Sequence, residues 1–166
     1  MVVIVFGLPG SGKSYFAERV AAMLNAAYIS SDIIRKKLLE KPTYTPDEKL
    51  LIYDEMGKLM KKVIDDNRHA VLDATFHKNK TRQRFIEEAE KYSRVFAIEV
   101  WADEEIIKER TGRERENSDA DFEVYKKLAK EWQPLNEEHL VLQSTNNNIN
   151  QMLEKTAGYI FLTNEK

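Results

Sequence analysis

Short apolar runs recur along this chain, each closed by polar residues. They are Val2-Val3-Ile4-Val5-Phe6, Ala27-Tyr28-Ile29, Ala70-Val71-Leu72, Val95-Phe96-Ala97-Ile98-Glu99-Val100 and Leu140-Val141-Leu142. The runs are apolar nearly throughout rather than alternating, which predicts strands buried on both faces. Between them the apolar spacing becomes helical. Phe16, Val20, Met23 and Leu24 mark a helix over about 13–24, and a short helix is expected over 32–39. Ile52, Met56, Leu59, Met60 and Val63 share one stripe of a long helix, and Phe85, Ala89 and Tyr92 share another over about 80–92. Ile106, Ile107 and Arg110 belong to a further helix, Phe122, Tyr125, Ala129 and Trp132 to the next, and residues 149–159 to a closing one. Pro42 and Pro46 bracket a loop, since two prolines so close forbid a continuous helix.

Strands that alternate with helices form a parallel sheet covered on both faces, an α/β three-layer fold. In such sheets ligands bind beyond the carboxyl ends of the strands. That rule gathers polar positions from three strand ends: Gly7 to Ser14 after the first, Ser31 and Asp32 after the second, Asp73 and Thr75 at the third.

The first of these, Gly7-Leu8-Pro9-Gly10-Ser11-Gly12-Lys13-Ser14, spells G-x-x-x-x-G-K-S between a strand and a helix, the context of a phosphate-binding P-loop. Its glycines let successive N–H groups turn inward on a helix N-terminus, making an anion nest. Gly7, Pro9, Gly10, Ser11, Gly12, Lys13, Ser14 and Tyr15 are the expected nucleotide-binding set. Lys13 would reach the β- and γ-phosphates and Ser14 would help hold Mg²⁺, so ATP and Mg²⁺ are the expected cofactors.

Composition narrows the setting. At 166 residues the chain is read as one domain over 1–166, and a net charge of −2 gives no global field for nucleic acid or anionic membranes. There is no cysteine, hence no disulfide or thiolate chemistry. No apolar run approaches the ~20 residues of a membrane span. The apolar start runs straight into the P-loop without a basic leader, so it is read as a strand and the protein as cytoplasmic with no membrane partner.

Asp73 closes an apolar strand at the ligand edge, where a carboxylate can hold Mg²⁺; the plainer reading is a turn or cap, and the metal role is favoured. Asp32 and Arg35 form D-x-x-R at a helix start. Either Asp32 caps the helix and Arg35 is solvated, or a proton acceptor lies beside a cationic fork, as a hydroxyl acceptor requires. Arg110, Arg113 and Arg115 lie where a helical lid, about 110–132, could close over phosphates, although Glu109, Glu114 and Glu116 between them also suit a salted surface. His69, His77 and His139 lack ligand spacing, Trp101 and Trp132 are read as packing residues, and Asn146-Asn147-Asn148 as a turn and cap.

Together, the P-loop, Asp32-x-x-Arg35, Val71-Leu72-Asp73-Ala74-Thr75-Phe76, and Arg110 with Arg113 before Ser118-Asp119-Ala120 resemble the P-loop kinases allied to the polynucleotide 5′-kinase domain, zeta-type toxins and small-molecule kinases. The likeness covers roughly residues 1–135. It implies a sheet in the order 2-3-1-4-5, Asp32 as general base on an acceptor hydroxyl, Arg35 on an acceptor-side phosphate, and lid arginines at Arg110 and either Arg113 or Arg115. The implied reaction is transfer of the γ-phosphate of ATP to a hydroxyl. A polynucleotide 5′-hydroxyl leads as acceptor, ahead of a metabolite, antibiotic or nucleotide-sugar. A non-catalytic ATP-dependent adaptor is the alternative of a different class. No N-K-x-D motif supports a GTPase.

Overall fold

Each apolar run becomes a strand, and the strands pair only in parallel. The computed structural model describes residues 1–112 and 121–162. In chain order the elements are β1 (Val2–Phe6), α1 (Lys13–Met23), β2 (Ala27–Ser30), α2 (Ser31–Leu38), α3 (Pro46–Asp65), β3 (Ala70–Ala74), α4 (Asn79–Glu90), β4 (Val95–Trp101), α5 (Glu104–Thr111), α6 (Phe122–Lys130), β5 (Leu140–Gln143) and α7 (Ile149–Leu162). The sheet order is β2-β3-β1-β4-β5. Val5 is level with Asp73 on one side and Ile98 on the other, and Ser30 is level with Asp73, so the carboxyl ends of β1, β2 and β3 finish together.

Alternate residues of β1 serve two cores. Val2, Ile4 and Phe6 pack with Ile52, Met56 and Met60 of α3 and Phe85 and Ala89 of α4. Val3 and Val5 pack with Phe16, Ala17 and Val20 of α1 and Met152 and Ile160 of α7. Every β1 side chain is buried, which is why the run shows no alternation. Burying each such aliphatic side chain contributes about 1.5–3 kcal/mol, so the central strand anchors both layers.

The helix stripes are slightly narrower than their spacing suggests. Leu59 is 36% exposed beside the fully packed Met60, because adjacent helical positions are rotated by about 100°. Met23, in the last turn of α1, and Tyr92, two residues beyond α4, are also exposed. Trp101 is 41% exposed at the end of β4 and is not a packing residue, whereas Trp132 stacks on Phe6 with ring centroids 6.1 Å apart. α6 fully buries none of its residues, and its Phe122 ring lies 5.9 Å from the Lys108 ammonium of α5.

Candidate active site

The loop between β1 and α1 is shaped by glycine. Gly12 stands at the N-cap of α1 in the left-handed region, φ 86°. A Cβ there would meet Ser144 Oγ at 2.7 Å and Arg110 Nη1 at 3.0 Å. A Cβ at Gly7 would overlap the Val100 carbonyl oxygen. α1 has no side-chain cap and no acidic residue in its first turn, so its leading N–H groups are left to an anion. Lys13 is buried, and Gly7 N–H donates to the Thr75 carbonyl at 3.4 Å, tying the loop to the end of β3. A cavity of about 490 Å³ opens here, lined by Gly10, Gly12, Lys13, Ser14 and Tyr15 of the loop and helix start, and also by Tyr28, Asp32 and Arg110. Pro9 and Ser11 are buried in the same loop, with Ser11 N–H donating to the Leu8 carbonyl at 3.2 Å.

On the β4–β5 side, Arg110 of α5 lies against the loop. Its Nη1 donates to the Gly10 carbonyl and to Ser144 Oγ, both at 3.2 Å, and Nε and Nη2 both reach Asn146 Oδ1 at 3.3 Å. Ser144, Thr145, Asn146 and Asn148 line the cavity. The segment is held by its own amides. Asn148 Oδ1 accepts from Thr145 N–H, and Asn148 Nδ2 donates to the Gln143 carbonyl, each at 2.8 Å. Asn146 and Asn148 are therefore more than a turn and cap: they line the cavity, whereas Asn147 only accepts from Thr145 Oγ1. The available signal was their position just beyond a strand's carboxyl end.

On the β2–β3 side, Ser30 caps α2, its Oγ accepting from Ile33 N–H at 3.5 Å, so capping does not account for Asp32. Asp32 lines the cavity, and its Oδ1 takes Arg35 Nη1 at 2.9 Å. Arg35 is buried, donates from Nε to Glu48 Oε1 at 3.0 Å, and lies 4.8 Å over the Tyr44 ring. The fork expected to meet an acceptor's anionic group is thus turned onto two of the protein's own carboxylates. Glu48, thirteen residues away, is what sequence reasoning missed. Its other oxygen accepts from Thr43 N–H at 2.5 Å, Thr43 Oγ1 at 2.9 Å and Tyr44 N–H at 3.0 Å. Burial opposes its charge, but these donors and Arg35 outweigh burial and hold its pKa below the usual carboxylate value. Tyr53 nearby is pushed up to about 12, chiefly by burial.

Asp73 is buried on the α1 side of the sheet. Tyr28 Oη donates to its Oδ2 at 2.6 Å, while Oδ1 is buried and has no hydrogen-bond partner among the described residues. Burial, then the Asp73 charge, pushes the Tyr28 phenol well up, so it remains a donor. Asp73 is not among the cavity-lining residues, although its partner Tyr28 and its register neighbour Ser30 are. A buried carboxylate oxygen orphaned at this strand end fits a cation or its water, and with the Ser14 hydroxyl this donor set suits Mg²⁺. Among the described residues, no group of three or more His, Asp or Glu could hold a metal alone.

His77 is buried past the end of β3, with Nε2 3.5 Å from Glu131 Oε2; Lys78 Nζ lies 3.6 Å from the same oxygen. Burial, then Lys49 and Lys78, lowers the His77 pKa. His69 meets the N-terminal amine, with Nδ1 at 3.1 Å, and His139 Nε2 lies 3.3 Å from Glu99. Arg113 and Arg115, with Ser118-Asp119-Ala120, lie outside the described residues. Among the described residues no helix is long and apolar enough to cross a membrane.

A parallel sheet in this order, with a glycine-rich phosphate nest after its central strand, defines a P-loop kinase fold. The chain belongs to the AAA_33 family of AAA domains, whose pattern matches residues 2–135. A curated relative, the UPF0200 protein of Aeropyrum pernix, is 32% identical over 139 residues, 75% of this chain and 70% of that protein. Among solved structures, a sugar kinase from a Janibacter species superposes with TM-score 0.73 at 17% identity, covering 96% of this chain and 93% of that one. The Mycobacterium tuberculosis APS kinase in complex with AMPPNP and APS superposes with TM-score 0.71 at 16% identity, covering 96% of each chain. At these identities the structures speak for the fold.

Proposed function

We propose that this protein is an ATP-dependent phosphotransferase that moves the γ-phosphate of ATP to a hydroxyl acceptor. The observation that carries the reading is Asp32. It is a carboxylate on the cavity wall beside the P-loop, relieved of capping by Ser30 and gripped by a buried arginine. Lys13 and the free N–H groups of α1 hold the β- and γ-phosphates. Asp32 takes the proton of the acceptor hydroxyl as its oxygen bonds to the γ-phosphorus, and the bond to the bridging oxygen breaks to leave ADP. Arg35, itself fixed by Glu48, is a positioning residue that keeps Asp32 aimed. Arg110 offsets charge gathering on the transferred group. Ser14 and Asp73 are the residues that would hold Mg²⁺, which when bound neutralises phosphate charge. Arg113 is proposed as a second lid arginine from its sequence position alone.

The leading acceptor is a polynucleotide 5′-hydroxyl, on the strength of the D-x-x-R and D-A-T-F pattern. The sugar kinase and APS kinase likenesses make metabolite hydroxyls the comparison set. The test is transfer of labelled γ-phosphate to 5′-hydroxyl oligonucleotides, nucleosides, sugars and aminoglycosides by wild type and Lys13→Ala. Acceptor-stimulated ADP release is expected, lowered by about 10²-fold or more in a folded Lys13→Ala protein. Wild-type transfer by that variant would overturn the mechanism. Slow hydrolysis that no acceptor stimulates would assign the chain to an adaptor role instead.

A further inference from the structure

β2 and β3 pair in parallel register, with Tyr28 level with Val71 and Ser30 level with Asp73. Residues two apart on a strand share a face, so all four stand on the face where Tyr28 and Val71 pack with Phe16 and Ala17 of α1. Tyr28 and Asp73 are therefore diagonal neighbours, on adjacent strands and two residues apart in register. That diagonal is too long for a short side chain but within reach of an aromatic one. The Tyr28 side chain leans toward the carboxyl end of the sheet, and its Oη donates to Asp73 Oδ2 at 2.6 Å. Tyr28 lines the cavity together with Ser14, Ser30 and Asp32, whereas Asp73, 2% exposed, does not. The phenol is thus the link between the buried carboxylate and the cavity wall.

Glu48 provides the comparison within the same molecule. It too is a buried carboxylate, but Arg35 takes one of its oxygens and Thr43 and Tyr44 take the other. A buried carboxylate with a purely structural task is matched in this way, by a counter-charge and by donors on both oxygens. Asp73 is not. Among the described residues it makes no ion pair, one oxygen accepts from a neutral phenol, and the other accepts from nothing. A neutral donor fixes the orientation of a carboxylate without cancelling its charge. Metal-ligating carboxylates are commonly held by such hydrogen bonds, which orient them toward the cation.

We propose that Tyr28 is the positioning residue of the magnesium site: it pins Oδ2 of Asp73 and leaves Oδ1 to the cation or to a water that the cation carries. The proposal rests on the Mg²⁺ role given to Ser14 and Asp73 above, and it adds a residue from outside the P-loop pattern. The hydroxyl is the working part, because the ring packs against the core beneath α1 and a phenylalanine would pack there equally. One strand then serves both substrates: Tyr28 holds the metal carboxylate, and four residues on Asp32 addresses the acceptor.

Tyr28→Phe removes a single oxygen atom and keeps the ring, so it tests the hydrogen bond alone. The measurement is binding of a fluorescent non-hydrolysable ATP analogue, first without divalent cation and then with Mg²⁺ titrated at saturating analogue. Wild type should bind the analogue more tightly with Mg²⁺ present. In Tyr28→Phe the Mg²⁺ midpoint should rise by about tenfold, as loss of a hydrogen-bond partner behind a metal ligand does. Affinity without Mg²⁺ and the unfolding temperature of the metal-free protein should stay near wild type. An unshifted midpoint would overturn the proposal. So would a loss of analogue affinity equal with and without Mg²⁺, which is what a merely structural phenol predicts. Asp73→Asn supplies the second variant. It should raise the midpoint at least as far, and adding Tyr28→Phe to it should shift the midpoint little further, because the hydroxyl acts through the carboxylate. Fully additive shifts would overturn the positioning role. These readouts do not involve transfer. A wild type that transfers phosphate to no acceptor would contradict the phosphotransferase reading, while the Mg²⁺ titration would still decide the role of Tyr28. A wild type that binds the analogue and gains nothing from Mg²⁺ would overturn the proposal whatever the transfer assay shows.

Discussion

Arg110 is held in place before any phosphate arrives. Gly10, Ser144 and Asn146 together engage three of its nitrogens, and a Cβ on Gly12 would collide with it. A cation fixed in this way loses little on meeting the charge that develops during transfer, and a fixed charge acts on the transition state more than on bound substrate. Arg110→Ala should therefore slow transfer by about 10²–10³-fold while changing nucleotide affinity much less. Single-turnover rates set against a nucleotide titration test this; a loss confined to affinity would make Arg110 a binding residue. Arg110→Lys should recover little, because an ammonium cannot span the carbonyl, hydroxyl and amide that the fork joins. Asp73 shows the same economy. The Tyr28 phenol occupies one carboxylate oxygen and leaves the other buried and, among the described residues, unpartnered.

At the scale of elements, α2, the 42–45 loop and the start of α3 are joined through Glu48. Thr45 caps α3, with Oγ1 accepting from Glu48 N–H at 3.3 Å, and Pro46 opens the helix where its missing N–H is harmless. The Glu48 carboxylate then turns back onto Thr43, Tyr44 and Arg35. Glu48→Gln leaves the buried Arg35 short of one counter-charge and should cost about 2–3 kcal/mol, lowering Tm by roughly 5–10 °C. The sign with pH follows from its depressed pKa. The ionised Glu48 contributes fully above its unfolded value of 4.5, and the contribution is lost as pH falls through the lower folded value. The gap between wild type and Glu48→Gln should therefore narrow below about pH 4.5. A gap constant from pH 7 to pH 3 would contradict the assignment. The same stretch shows what a sequence can and cannot disclose. The β1 run, the P-loop glycines and the paired prolines are local patterns, so their elements were legible. The Arg35–Glu48 pair was not, because it forms only when α2 folds back on α3. Nor was the Ser144–Asn148 segment, whose role depends on β5 lying beside β4. Leu59 misled because its spacing fits the stripe while Met60 takes the buried position.

In the whole molecule, the order β2-β3-β1-β4-β5 sets the phosphate nest at the centre and divides the site into two sides. Arg110 and the β5–α7 segment lie on one side, and Asp32 and Arg35 on the other. α6, with none of its residues fully buried, joins the two through Lys108 on α5 and Glu131 at its own far end. This division means that one substitution can disable the acceptor side and leave the nucleotide side untouched. Asp32→Asn is that substitution: it keeps size and a hydrogen-bonding oxygen for Arg35, and Ser30 already provides the cap, but an amide will not accept the acceptor's proton at neutral pH. The deciding measurement is a melting curve, an ATP titration and an acceptor-transfer assay on one preparation of Asp32→Asn. The account predicts a near-normal Tm, near-normal ATP affinity and transfer lowered by about 10²–10⁴-fold. Unchanged transfer by that protein would contradict it.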